Sequence, residues 1–164
     1  MPTEYILELS AREDTIFLGH VLAKSLTDFP EVALLLFGDL GAGKTTLVRG
    51  FAAALPGGEQ AEVASPSFNI YNLYPTSPEI AHVDLYRLEG MGLDDDLLDL
   101  LFSEHVIVII EWAEHLTESA TPADFISLTW SALQPKRTVC VHSRGETASK
   151  VLDCAMKDLD RFLK

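Results

Sequence analysis

Gly38-Asp39-Leu40-Gly41-Ala42-Gly43-Lys44-Thr45-Thr46 contains a complete Gly-x-x-x-x-Gly-Lys-Thr pattern. These are the residue types that hold a phosphate chain. Glycines let the backbone curl until successive N–H groups converge on anionic oxygens. The helix that follows adds free N–H groups and a positive dipole end. Lys44 has the reach for β- and γ-phosphates, and the Thr45 hydroxyl suits Mg²⁺. The flanks match, with an apolar run at 32–37 before the loop and a helix-compatible segment at 46–55 after it. This pattern predicts binding of a nucleoside triphosphate.

Hydrolysis or transfer needs carboxylates as well, to hold the metal and order the nucleophile. Glu111 closes the apolar run 106–110, the place of a Walker-B acid, although many phosphate-loop proteins carry Asp there. It reads as a metal ligand or as a capped strand end. Asp84 lies in an apolar stretch beside His82, Tyr86 and Arg87. A carboxylate there is costly unless paired or bound to a cation, so it reads as a site group or as the partner of Arg87. Ser65-Pro66-Ser67 offers hydroxyls on a rigid turn, either a γ-phosphate-sensing switch or an ordinary Ser-Pro turn. Trp112 is core or a docking surface beside the nucleotide. Lys136 and Arg137 form an adjacent basic pair that flanks the base or is simply solvated. The five histidines have no metal-ligand spacing and read as surface or hydrogen-bonded residues.

The elements that must position these groups follow from periodicity. Residues 5–9 form a first strand, and Ser10-Ala-Arg-Glu13 is a capping-box pattern. It opens a helix through Leu26 with Ile16, Leu18, Val21, Leu22 and Leu26 as its buried stripe. Pro56-Gly57-Gly58 ends the helix after the phosphate loop. A strand from Phe68 to Tyr74, a turn at 75–78 and a strand at 80–86 make an antiparallel hairpin. An acidic amphipathic helix follows at 93–102. The β-branched run 106–110 is expected of a parallel strand buried on both faces. Strands at 125–130 and 138–142 and a helix at 146–163 complete the chain. The expected fold is one α/β domain over 1–164, a three-layer phosphate-loop sandwich with a mostly parallel central sheet and an antiparallel hairpin.

The 164 residues are 48% hydrophobic and 23% charged, ordinary values for a soluble globular chain. Nothing resembles a secretory signal or membrane span. Cys140 and Cys154 read as free thiols in a reducing cytoplasm. The net charge of −13 argues against direct non-specific nucleic-acid binding, because a polyanion would be repelled over most of the surface.

Four motifs stand in one order: the loop 38–46, Ser65-Pro-Ser-Phe68, His82-Val-Asp-Leu-Tyr-Arg-Leu88 and Ile110-Glu-Trp112. Together they resemble the TsaE (YjeE) family, small bacterial ATPases of tRNA threonylcarbamoyladenosine biosynthesis. The resemblance covers about residues 3–144. It implies ATP phosphates on residues 39–46, Mg²⁺ on Thr45 and Glu111, and a role in hydrolysis for Asp84. It also implies a switch at Ser65, Pro66 and Ser67, and a functional aromatic at Trp112. The family's switch is usually Ser-Pro-Thr, so Ser67 keeps the hydroxyl and loses a methyl. Its members act with the TsaB–TsaD pair, which meets tRNA, and ATP hydrolysis resets that complex. The sequence-level alternative is a small-molecule kinase, which typically needs an Arg-bearing lid and a basic acceptor pocket. The chain's twelve scattered Lys and Arg supply little material for either.

Overall fold

The computed structural model describes residues 3–66, 68–131 and 136–164. Its frame is a seven-stranded sheet made of β1 (Glu4–Leu9), β2 (Ala33–Phe37), β3 (Tyr71–Tyr74), β4 (Glu79–Asp84), β5 (Val106–Glu111), β6 (Phe125–Trp130) and β7 (Arg137–Arg144). The order across the sheet is β1-β7-β6-β2-β5-β4-β3. The central strands β6, β2, β5 and β4 run parallel. Antiparallel pairs close both sides, β3 on β4 at one and β7 and β1 at the other. The expected hairpin is therefore the β3–β4 pair, at the sheet's edge.

Continuous apolar runs make the central strands because they are buried on both faces. In β2, Leu34 and Leu36 enter the core under α1 (Arg12–Leu26), α2 (Lys44–Ala53) and α4 (Glu146–Met156). Ala33 and Leu35 enter the opposite core, under α3 (Asp95–Leu101). This gives the three layers expected. On β4 the same alternation puts Ile80 in the first core and Ala81 and Val83 in the second. His82 and Asp84 therefore share the α2 side of the sheet.

Several boundaries differ from the sequence reading for local reasons. The N-cap of α1 is Ala11 rather than Ser10. The Asp14 carboxylate accepts the backbone N–H groups of Ser10 and Ala11 at 2.9 and 3.0 Å, which moves the helix start forward. Ile16 is only half buried, and Thr15 and Gly19 take its place in the stripe. The hairpin's first strand begins at Tyr71 because Ile70 has φ 68°, a left-handed conformation that interrupts an extended run. Its second strand ends at Asp84, whose Oδ1 accepts the Tyr86 N–H at 2.9 Å and turns the chain. The last helix stops at Met156. Beyond it Leu159 and Phe162 return to the core, and Leu163 bridges to Leu7 on the free edge of β1. No helix among the described residues is long and apolar enough to cross a membrane.

Candidate active site

The phosphate loop leaves the carboxyl end of β2, beside the carboxyl ends of β5 and β4. The register places Glu111 opposite Leu36 on one side and Asp84 on the other. Open parallel sheets bind ligands at this end of their strands. Two loop glycines have backbones that other residues resist, Gly41 at φ 79° and Gly43 at φ 122°. A Cβ on Gly43 would stand 3.2 Å from Arg137 Nη1 and 3.5 Å from Trp130 Nε1. Trp130 Nε1 and the nearby Thr15 Oγ1 are buried without a hydrogen-bond partner. A cleft of about 480 Å³ opens over residues 40–46 and continues to Leu9, Ser10, Ala11, Arg12, Ser65, Glu111 and Arg137.

Lys44 opens α2 and is only 5% exposed. Its ammonium donates to the carbonyls of Gly38 and Asp39, the latter at 3.1 Å. It also lies 4.2 Å from the centre of the Trp112 ring. Burial pushes its pKa below the ordinary lysine value, against the fields of Glu111, Glu114, Asp84 and Asp39. A cation held this way gains from anionic oxygens that come within its reach.

Thr45 Oγ1 donates to Glu111 Oε1 at 2.9 Å. Glu111 is 3% exposed, so its charge needs compensation. The same oxygen meets His82 Nε2 at 3.0 Å. A hydroxyl and a carboxylate side by side are hard oxygen donors that fit Mg²⁺, which takes one or two carboxylates and completes its octahedron with water and phosphate. No group of three or more His, Cys, Asp or Glu side chains placed to hold a metal ion occurs among the described residues.

Asp84 is held by two donors. Its Oδ2 accepts the Ser65 hydroxyl at 2.9 Å and its Oδ1 the Tyr86 N–H. Arg87, the alternative partner, instead lies over the Phe68 ring at 4.7 Å. Ser65 is exposed and Pro66 buried, while Ser67 lies outside the described residues. Trp112 is half buried in a left-handed conformation, φ 57°. Such a backbone costs roughly 1–3 kcal/mol and persists where surrounding contacts hold it. Here those contacts are Tyr86, with ring centres 4.9 Å apart, His115 at 6.3 Å and the Lys44 ammonium. Trp112 is thus neither core nor free surface. Arg137 Nη1 donates to the Ala42 carbonyl at 3.1 Å and forms part of the cleft wall, while Lys136 turns away to Glu8 at 2.5 Å.

Known proteins resemble this chain in sequence and in fold. The family model described as Threonylcarbamoyl adenosine biosynthesis protein TsaE matches residues 9–139. The chain belongs to the TsaE family. A tRNA threonylcarbamoyladenosine biosynthesis protein TsaE of Rickettsia felis is 34% identical over 152 residues, covering 90% of this chain and 85% of its own. The protein of the same name from Streptomyces coelicolor is 46% identical over 110 residues, 63% of this chain and 70% of its own. The crystal structure of Bacillus subtilis YdiB superposes with a TM-score of 0.75 at 24% identity, covering 96% of this chain and 97% of that one. This last likeness shows the fold alone.

Two parts of the site received no role in the sequence reading. Residues 9–12 line the cleft together with Arg137, where the sequence reading saw only a strand end and a helix start. His82 and Tyr74 stand behind Glu111, with Tyr74 Oη 2.9 Å from His82 Nδ1. Their signal was available in the spacing, since the alternation Ile80, His82, Asp84 puts the histidine on the face of the carboxylate.

Proposed function

We propose that the chain is a Mg²⁺-dependent ATPase of threonylcarbamoyladenosine formation on tRNA, with residues 1–164 acting as one cytoplasmic domain that resets the TsaB–TsaD complex. The observation that carries the reading is the Thr45–Glu111 pair at 2.9 Å, with Asp84 in register beside it at the mouth of the loop. Loop N–H groups and Lys44 hold the β- and γ-phosphate oxygens. Thr45 and Glu111 would hold Mg²⁺, which would supply neutralisation of phosphate charge there. Asp84 orients the attacking water and accepts hydrogen bonds from it. Arg137 and residues 9–12 flank the nucleoside. Catalysis on this account is positioning plus charge stabilisation in a sheltered cleft.

The net charge of −13 leaves tRNA to the partners, because affinity for phosphates comes from Lys and Arg. Trp112 follows the metal-binding Glu111 directly and packs on Lys44, so it links nucleotide state to the docking surface. ATP then favours the docked state by its differential affinity for bound and free conformations. The test is a pull-down with TsaB–TsaD in ATP, in ADP and without nucleotide. Association should require ATP, and Trp112→Ala should weaken it about tenfold or more while ATP binding is largely retained. Association indifferent to nucleotide, or tight tRNA binding by the chain alone, contradicts this reading.

A further inference from the structure

Behind Glu111 runs a buried line of polar groups that the proposed hydrolysis does not use. Tyr74 is 3% exposed and His82 fully buried. Tyr74 Oη meets His82 Nδ1 at 2.9 Å, and His82 Nε2 meets Glu111 Oε1 at 3.0 Å. At its other end the Tyr74 hydroxyl reaches the Ala64 carbonyl at 3.2 Å. The next residue, Ser65, donates to Asp84 at 2.9 Å. Adjacent residues of one loop are therefore tied to the two carboxylates of the site, Ser65 directly and Ala64 through two aromatic side chains.

The chemistry of the donors and acceptors makes this line more than packing. An ionised Glu111 accepts only, so His82 presents Nε2–H to it and leaves Nδ1 as an acceptor. Tyr74 has one proton and faces two acceptors, His82 Nδ1 and the Ala64 carbonyl. It can satisfy one of them at a time. Asn72 Nδ2, 3.4 Å from the same carbonyl, is the second donor available to Ala64. The place of the Ala64 carbonyl thus decides whether Tyr74 completes the hydrogen bonding of His82, and with it the hold on Glu111.

We propose that His82 and Tyr74 are positioning residues that fix the Glu111 carboxylate for Mg²⁺ and couple it to the loop at residues 64–66. This rests on the reading of Glu111 as a metal ligand. Groups that orient a ligating side chain typically contribute 10–100-fold to metal affinity, and hydrogen bonds are electrostatically stronger in a buried site than in water.

The readout is the ratio of affinities for a non-hydrolysable ATP analogue with Mg²⁺ and with a chelator, measured by calorimetry. Tyr74→Phe keeps the ring and its volume and removes the hydroxyl. It should lower that ratio about tenfold with metal-free affinity unchanged. His82→Gln, which keeps an N–H donor, should retain more of the ratio than His82→Leu. In a Glu111→Gln background, Tyr74→Phe should add nothing, since coupled residues are non-additive. Hydrogen exchange at the amides of Val63, Ala64 and Ser65 should respond to Mg²⁺-nucleotide in the parent chain and lose that response in Tyr74→Phe. An unchanged ratio in Tyr74→Phe beside a lowered one in Glu111→Gln overturns the positioning role alone. Full additivity of the two substitutions, or an unaltered exchange response, also overturns it. An unchanged ratio in Glu111→Gln overturns the metal role of Glu111 and this proposal with it.

Discussion

Lys44→Ala should weaken ATP binding by about 100-fold or more while leaving the fold intact. Charge-assisted hydrogen bonds contribute roughly 1.5–3 kcal/mol each, and about 1.4 kcal/mol is a factor of ten in affinity. The loop's backbone N–H groups remain, so some binding persists. Lys44→Met, which keeps length without charge, separates the ammonium from its packing and should show a similar loss. The depressed pKa of Lys44 adds a second signature. Between that lowered value and the ordinary lysine value, the folded chain binds fewer protons here than the unfolded chain. Stability of the nucleotide-free chain therefore rises as pH climbs through this window. Triphosphate on Lys44 should favour the charged form and reverse the shift, so ATP binding in the window should take up protons. Calorimetry in buffers of different ionisation heat measures the uptake, and Lys44→Met should abolish it. Unchanged affinity in both variants would remove Lys44 from the phosphate site.

Asp84→Asn should leave ATP affinity within a few-fold of the parent and reduce turnover by about 100-fold, the lower range for loss of a positioned base or water-orienting group. The amide preserves the local structure. Its oxygen can still accept the Tyr86 N–H, and its NH₂ can donate to Ser65 Oγ, so the turn after β4 keeps its hydrogen bonds. What disappears is the negative charge, beside the other site carboxylate in the sheet register. Steady-state phosphate release and ATP calorimetry on the same preparation check both halves. A variant that unfolds, or loses ATP affinity in step with turnover, makes Asp84 a structural residue.

The loop and its flanks are legible in the sequence because their requirements are local. Glycines that bend the backbone, a lysine of fixed reach and a hydroxyl one residue on all lie within residues 38–45. The parallel core is equally legible, since the β-branched apolar run 106–110 favours a strand covered on both faces. Other features depend on distant contacts. Nothing in 146–164 signals that Leu163 leaves the helical path to bridge Leu7. Nothing near Ser10 announces that Asp14, four residues on, caps the helix in place of the Ser10 side chain. Charge alone makes Arg87 a candidate partner of Asp84, and its stacking on Phe68 has no signature in the chain. His82 is the instructive case. By type it is one histidine among five, yet its parity with Asp84 and its pairing opposite Ile109, two residues before Glu111 on β5, put it within reach of Glu111.

The central claim, that this chain turns over ATP in the service of a partner complex, is tested most directly by measuring phosphate release with Mg²⁺, alone and with the TsaB–TsaD pair. Slow release by the chain alone, accelerated by the pair and accompanied by no phosphorylated acceptor, is the predicted result. Release unaffected by the pair, or γ-phosphate transferred to a small molecule in place of water, would contradict it.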